Sequence, residues 1–465
     1  MAVWSEVTLG ELAGARRLDA EYYDPKLLRY EQEVKSSGFT VKPLGDVVRN
    51  GYRVVYENTT ILDRAEASAD AVRFLQAADV SSVLPVINDH GIGWVHRGDW
   101  ERYAKGRIHR GEILVEVKGK AEKVAIVPDD FPIETLVTGT LFKFQVDESQ
   151  IDRFFLLAYL LSEYGRGLRT RCLTNTLIGF VSKSELYNIP VPLFPRTQQR
   201  AIADRVQSSL TAERKSRSVY TEAEALLESA LRLDKLDLTP RLFCERPYAD
   251  LQAAERFDAE YFQPPKKTVL DALAKMPGQA VSDQYRSVRR LWQPNQADAA
   301  KHVRNYDLTD ALQPFLDEIV EPTTRDMIAS TKKKLKPGDL VVSRLRSYLK
   351  EIAVVLDNGP MPMVGSTEFI VLRPQKGAIR IEALLVYLRS KYVQTVLKWC
   401  QDGSNHPRFH ESELLNLRIP DVVRDHQDGI AARVQASIQA RREARRLLDE
   451  AKSMVEKAIF GKQSG

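Results

Sequence analysis

The chain has 465 residues, 43% of them hydrophobic and 28% charged, with a formal net charge of +5. That length suggests two to four domains with sizeable cores, and the mild basic excess is compatible with nucleic acid without requiring it. Three cysteines with no C-x-x-C pair exclude a disulfide framework and a zinc ribbon, and no run reaches signal-peptide or transmembrane length, so a cytoplasmic protein that does not engage a membrane is expected.

Residues 1–40 carry a short motif, RLDAEYYDP (17–25), followed by a helix with Pro25 in its first turn. From Val41 the texture changes to short β-branched and aromatic runs (YRVVYENTTI, VRFLQAADV, GEILVEVKG, KVAIVPD, TLVTGTLFKFQV) separated by Gly, Asn, Asp and Pro, as expected of a small, mostly β region. The stretch 151–170 reads as a helix and 166–176 as a loop. A proline-bounded strand, IPVPLFPR, then leads into one long helix from Thr197 to about Leu236. Its apolar stripe (Ile202, Val206, Leu210, Tyr220, Ala223, Leu227, Ala230) is narrow, and the turn Glu213 to Arg217 reads as charged all round. Such a helix calls for a partner helix. Asp425 to Phe460 supplies one, with Ile430, Val434, Ile438, Leu448, Ala451, Val455 and Ile459.

These two helices are copies. Val191-Pro192 matches Ile419-Pro420, Gln199 matches Gln427, Ile202-Ala203 matches Ile430-Ala431 and Val206 matches Val434, all 228 positions apart. Cys172 falls on Cys400 and Tyr159-Leu160 on Tyr387-Leu388 at the same spacing. RLDAEYYDP pairs with RFDAEYFQP (256–264) at 239, so the second copy is a net 11 residues shorter in its middle. The expected fold is α+β with a pseudo-two-fold internal repeat. The domain boundaries are 1–40 (motif and helix), 41–196 (first β-rich domain), 197–239 (first long helix), 240–280 (second motif), 281–424 (second β-rich domain) and 425–465 (second long helix).

Catalytic patterns are scarce. The sequence holds no Gly-rich nucleotide fingerprint, no P-loop and no His-Glu-x-x-His, and the motif of amino-methyltransferases is missing, with Pro264-Pro265 flanked by Gln263 and Lys266. One nuclease-like set, Asp99, Glu116 and Lys118, could hold Mg²⁺ and polarise a phosphodiester. Its duplicate argues against it, because the matching strand LVVSRLRS places Ser343 and Arg344 where the acid belongs.

The basic clusters are better candidates for phosphate and base contacts. In the first half these are Arg107, Arg110, Lys118 and Lys120; in the second, Lys332, Lys333, Arg344, Arg346 and Lys350. Two loops that enter the strands before the long helices, 166–176 and 400–409, add Arg169, Arg171 and Asn175, and Ser404, Asn405 and Arg408. Tyr22, Tyr23, Tyr261 and Phe262 read as packing rather than base-stacking residues, and Arg441, Arg442, Arg445 and Arg446 as an exposed helix face or partner contact.

The paired motifs, the GSTEFIVLRP segment, the DGSNHPRF loop and the junctions ELYNIPVPLFPRTQQRAIA and ELLNLRIPDVVRDHQDGIA together resemble the specificity (S, HsdS) subunit of type I restriction–modification systems, along nearly the whole chain. The second junction departs from the pattern, with Asp421-Val422-Val423 where prolines are usual and His426 where the first copy has Gln198.

The resemblance implies that the two middles are target-recognition domains, each reading one half of a split DNA sequence, joined by an antiparallel coiled coil of the two long helices. A helix of about 36 residues would be roughly 54 Å long, enough to space two half-sites. It also implies a non-catalytic subunit of an anti-phage defence complex. Its partners would be double-stranded DNA, two adenine-N6 modification subunits and restriction/translocase subunits, which would carry S-adenosylmethionine, ATP and Mg. An autonomous metal-dependent nuclease and a coiled-coil adaptor without DNA affinity are the alternatives.

Overall fold

Each half of the chain builds its β-rich part from the same three pieces. In the first half, Val48–Tyr52, Leu141–Val146, Ile113–Glu116 and Val124–Ile126 form a four-stranded antiparallel sheet in that order. In the second half, Tyr285–Ser287, Phe369–Pro374, Leu340–Ser343 and Ile352–Val354 repeat that order. A second sheet contains one parallel pair in each half, Ala71–Leu75 with Thr135–Val137 and His302–Tyr306 with Met363–Gly365. A two-strand ribbon, Thr40–Pro43 with Pro190–Leu193 or Gly278–Ala280 with Arg418–Pro420, ties the start of each β-rich part to its end.

The structure is a computed structural model that describes residues 4–10, 12, 17–54, 59–62, 70–88, 92–174, 177–296, 299–316 and 320–461. It divides into two compact units, Met1–Arg214 with Ala440–Gly465, and Lys215–Gln439. The divisions fall inside the two long helices, Arg196–Leu231 and Gln427–Gly461. The first ends where Arg232 takes a left-handed conformation (φ 53°), a backbone state that ends a helix. No helix among the described residues is long and apolar enough to cross a membrane.

The helices pair antiparallel within each unit. In the first unit Ile202 and Val206 pack with Ala451, Val455 and Ile459, and Ser209 Oγ donates to the Ala444 carbonyl at 2.6 Å. In the second, Ala223, Leu227 and Leu231 share a core with Ile430, Val434 and Ile438, and Ser216 and Ser437 each donate to the other's carbonyl at 2.8 Å. The middle turn differs from expectation. Glu213 is buried and paired with Arg441 at 3.2 Å, so the turn is not charged all round and Arg441 is not part of an exposed strip. A buried carboxylate needs such a partner, since desolvating it alone would cost several kcal/mol (roughly, by).

The helices expected over 151–170 and 379–399 are each broken once. Ser162 caps Glu163–Arg171 by accepting from the Gly165 amide, and Ser390 caps Lys391–Trp399 by accepting from Val393, so each stretch is two short helices. The junction glutamines lock these helices to the long ones. Gln199 Oε1 accepts from the Asp152 amide and Gln427 Oε1 from the Arg380 amide, both at 2.8 Å, at the starts of Arg153–Leu161 and Ile381–Arg389. The buried Tyr159 hydroxyl donates to the Pro190 carbonyl, and its counterpart Tyr387 to the Arg418 carbonyl at 2.5 Å. These bonds explain why the strand–proline–Gln–helix junction occurs twice.

Candidate nucleic-acid interface

In each unit two loops meet edge to edge. The first is the hairpin loop that leaves the inner strand of the four-stranded sheet, 117–123 in one unit and 344–351 in the other. The second follows the pair of short helices, 173–181 and 401–409. In the first unit the Gly119 amide donates to the Gly179 carbonyl at 3.0 Å, and the Val181 amide to the Val117 carbonyl at 2.9 Å. In the second, the Arg346 amide donates to Pro407 at 2.9 Å and the Phe409 amide to Arg344 at 3.1 Å. The bridges Lys118↔Phe180 and Leu345↔Arg408 complete the match. Each unit therefore carries the same two-loop ridge.

The Arg-x-Asp-Ala-Glu-Tyr motifs hold the roots of these ridges. Arg17 pairs with Asp19 and donates to the carbonyls of Cys172 and Leu173, where the second loop begins. Arg256 pairs with Asp258 at 2.7 Å and donates to Cys400 at 3.1 Å and Gln401 at 2.9 Å. The hydrogen-bonded arginines hold both aspartates below the ordinary carboxylate range. Tyr22 lies under Arg17 and Arg171, and Tyr261 under Arg256 at 4.3 Å, so these tyrosines serve as packing surfaces for the clamp.

The side chains on the two ridges differ. The second unit gathers six of the expected residues. Glu368 lies between Arg344, 2.8 Å away, and Arg408, which reaches it through both Nε and Nη2 at 3.0–3.2 Å. Burial opposes charge on Glu368, but the hydrogen bonds from Arg408 and Arg344 outweigh it and hold the carboxyl below its usual range. Arg346 reaches His406 Nδ1 at 3.0 Å, and Ser404 and Asn405 are exposed at the tip of the neighbouring loop. Arg346 and Lys350 both take left-handed conformations (φ 47° and 55°) around a short turn that presents Tyr348 and Leu349 to solvent. Non-glycine residues in that region cost about 1–2 kcal/mol each, so the tip is held in shape by the contacts around it.

In the first unit Lys118 and Lys120 are exposed on the hairpin loop, while Leu177 and Ile178 are exposed on the other. Asn175 lies outside the described residues. Phe180, the counterpart of Arg408, is covered by the Arg53 guanidinium at 4.3 Å.

Several expected contacts have other duties. The stretch expected as a loop from 166 is helical as far as Arg171, which corrects the placement of two arginines. Arg169 is fully enclosed and donates to the carbonyls of Ala121, Glu122 and Leu160, with burial pulling its pKa down to about 10. Arg171 is spent on the Tyr22 carbonyl and Glu31. Both arginines are framework groups. Lys333 lies beneath the second ridge, where its Nζ donates to the Phe369 carbonyl at 2.6 Å and burial lowers its pKa. Lys332 pairs with Asp307 at 3.5 Å. Arg107 stacks on Trp100 at 3.8 Å and donates to its carbonyl. Arg110 is exposed, but it precedes the strand whose far end carries Lys118, so it stands away from the ridge.

The nuclease set fares worse. Glu116 is buried, and its Oε2 accepts from the amides of Glu122 and Lys123 at 3.0 and 3.3 Å, closing the hairpin loop. Among the described residues no group of three or more His, Cys, Asp or Glu side chains is placed to hold a metal ion.

No protein-family model matches this chain, and no curated protein does. Among solved structures, the HsdS subunit from Thermoanaerobacter tengcongensis is similar over 91% of this chain and 97% of its own, at 15% identity and a TM-score of 0.30. The type I restriction–modification S subunit from M. genitalium aligns over 90% and 96%, at 14% identity and 0.38. A chain from a type I R-M system solved for its complex assembly and conformational transition aligns over 91% and 98%, at 16% identity and 0.30. Superposition at such scores is loose, and the functional case rests on this chain's own repeat and ridges.

Proposed function

We propose that this chain is a DNA sequence-specificity subunit that reads a split target with one ridge per half-site and scaffolds the enzymes that act there. The observation that carries the reading is the duplicated ridge. Its backbone contacts are the same in both units, while the side chains along it have diverged. A scaffold that presents two different sets of cations, hydrogen-bonding groups and apolar tips from one repeated frame is suited to reading two different short sequences. The chemistry of methyl transfer, ATP-driven translocation and cleavage then belongs to partner subunits with their own S-adenosylmethionine, ATP and Mg. Two modification subunits, one per repeat, fit a duplicated frame.

Methylome sequencing of the host with and without this gene tests the reading. The expected result is loss of N6-methyladenine at a single split motif, which also reveals both half-sites. An unchanged methylome would overturn it.

A further inference from the structure

The repeat begins earlier than the Arg-x-Asp motif. Without a gap and at the same spacing of 239 positions, Trp4 falls on Phe243, Leu9 on Tyr248 and Leu18 on Phe257. All six side chains face solvent, with Trp4 74%, Leu9 84% and Leu18 86% exposed in the first unit and Phe243 85%, Tyr248 65% and Phe257 72% in the second. The tether beneath them is also repeated. Ser5 Oγ donates to the Tyr23 carbonyl at 2.7 Å, and its counterpart Cys244 Sγ to the Phe262 carbonyl at 3.5 Å. Exposed acids recur beside them, Glu6 with Glu245 and Glu21 with Glu260.

A single large apolar side chain on a surface needs no explanation. Three of them at matched positions in two copies do, since neighbouring pairs have changed character freely: Val7 faces Arg246 across the repeat, and Arg16 faces Glu255. Each trio lies on a segment pinned to its own unit, so the exposure does not belong to a loose terminus. Large apolar groups with a polar rim, left uncovered, mark a protein-docking surface.

We infer that the trios Trp4, Leu9, Leu18 and Phe243, Tyr248, Phe257 are two equivalent docking sites for two copies of one protein, which meets each with an apolar pocket edged by basic residues. The duplication sets the stoichiometry, because matching chemistry at both places calls for the same occupant twice. The identity of the occupant rests on the proposed function, which makes it the modification subunit. The ridges stay free to meet DNA while these sites are filled.

The test uses the full chain and the adenine methyltransferase encoded beside it, with the mass of the complex read by native mass spectrometry. The wild-type chain is expected to hold two copies. Replacing one trio by serines (W4S/L9S/L18S, or F243S/Y248S/F257S) should leave one copy, with affinity at the altered site down at least about a hundredfold. Replacing both should leave none. Circular dichroism checks the fold of each variant, and the single changes L9E and Y248E give the same reading with less alteration. Two copies bound to the six-fold variant would overturn the inference while leaving the DNA-reading function intact. A wild-type chain that binds no methyltransferase would overturn both. A chain that dimerises alone through the trios would assign the sites to a second copy of itself, which also overturns the inference.

Discussion

The two ridges share a backbone and little else. At the position that meets the opposite loop, one has Gly119 and the other Arg346, both with positive φ (104° and 47°). Where the second ridge has Arg408 reaching Glu368, the first has Phe180 beneath Arg53. One surface is therefore made of mobile lysines around an apolar tip, and the other of arginines fixed by a carboxylate. A fixed guanidinium fork can pair with a base edge, whereas a lysine on a flexible stem acts as a point charge for phosphate. The comparison teaches that the frame determines where the readers stand, and the loops determine how each one reads.

That contrast can be broken at the frame. Arg169 supports the first hairpin loop through three carbonyls, while its counterpart in the second unit is the buried Leu397. Arg169→Leu should strand those carbonyls and destabilise the chain by about 3 kcal/mol. Denaturant unfolding measures the loss, and amide exchange should place it in 117–123 and leave 344–351 unchanged.

A smaller effect sharpens the difference between the readers. Arg408→Ala should cost about 1–3 kcal/mol of discrimination at one base pair and relax only one half of the split target in a selection from randomised duplexes. Lys118→Ala with Lys120→Ala should leave the selected sequence unchanged and flatten the salt dependence of binding, by about 0.9 in slope for each phosphate no longer neutralised.

The mildest test is pH. Glu368 is depressed in the folded chain, so its contribution is present above the ordinary carboxylate pKa of about 4.3 and is lost as pH falls through the lower folded value. Amide exchange at 402–408 should therefore quicken in acid, and Glu368→Gln should abolish that dependence. The first ridge has Thr140 at the corresponding position and should show no such change.

Much of the frame was legible because it was written twice. The matched Gln199 and Gln427, Tyr159 and Tyr387, and the two long helices all emerged from the 228-residue spacing, and the structure gives each a bond or a buried stripe. The helix breaks at Ser162 and Ser390 were hidden because the apolar pattern continues across them, and a serine within a hydrophobic run does not show whether it caps. Arg169 and Arg171 misled for a related reason. Arginine beside glycine suggests a loop, and only tertiary contacts reveal a guanidinium consumed by carbonyls. The convergence of 344–351 with 401–409 joins segments far apart in sequence, which no local pattern encodes. The apolar trios could have been found by extending the 239-residue alignment upstream, where similarity of character replaces identity.

The buried pair in the middle of the long helices has a consequence for the history of the gene. Glu213 and Arg441 occupy the same position in the two copies, 228 residues apart, and they bond to each other. Two identical first halves brought together in this way would set glutamate against glutamate, and two second halves arginine against arginine, each like-charge pair shut away from water. Once that substitution was in place, the halves ceased to be interchangeable. The recognition loops remain free to be exchanged or rewritten, but the two helices now need each other, and the duplication can no longer be undone by losing one half.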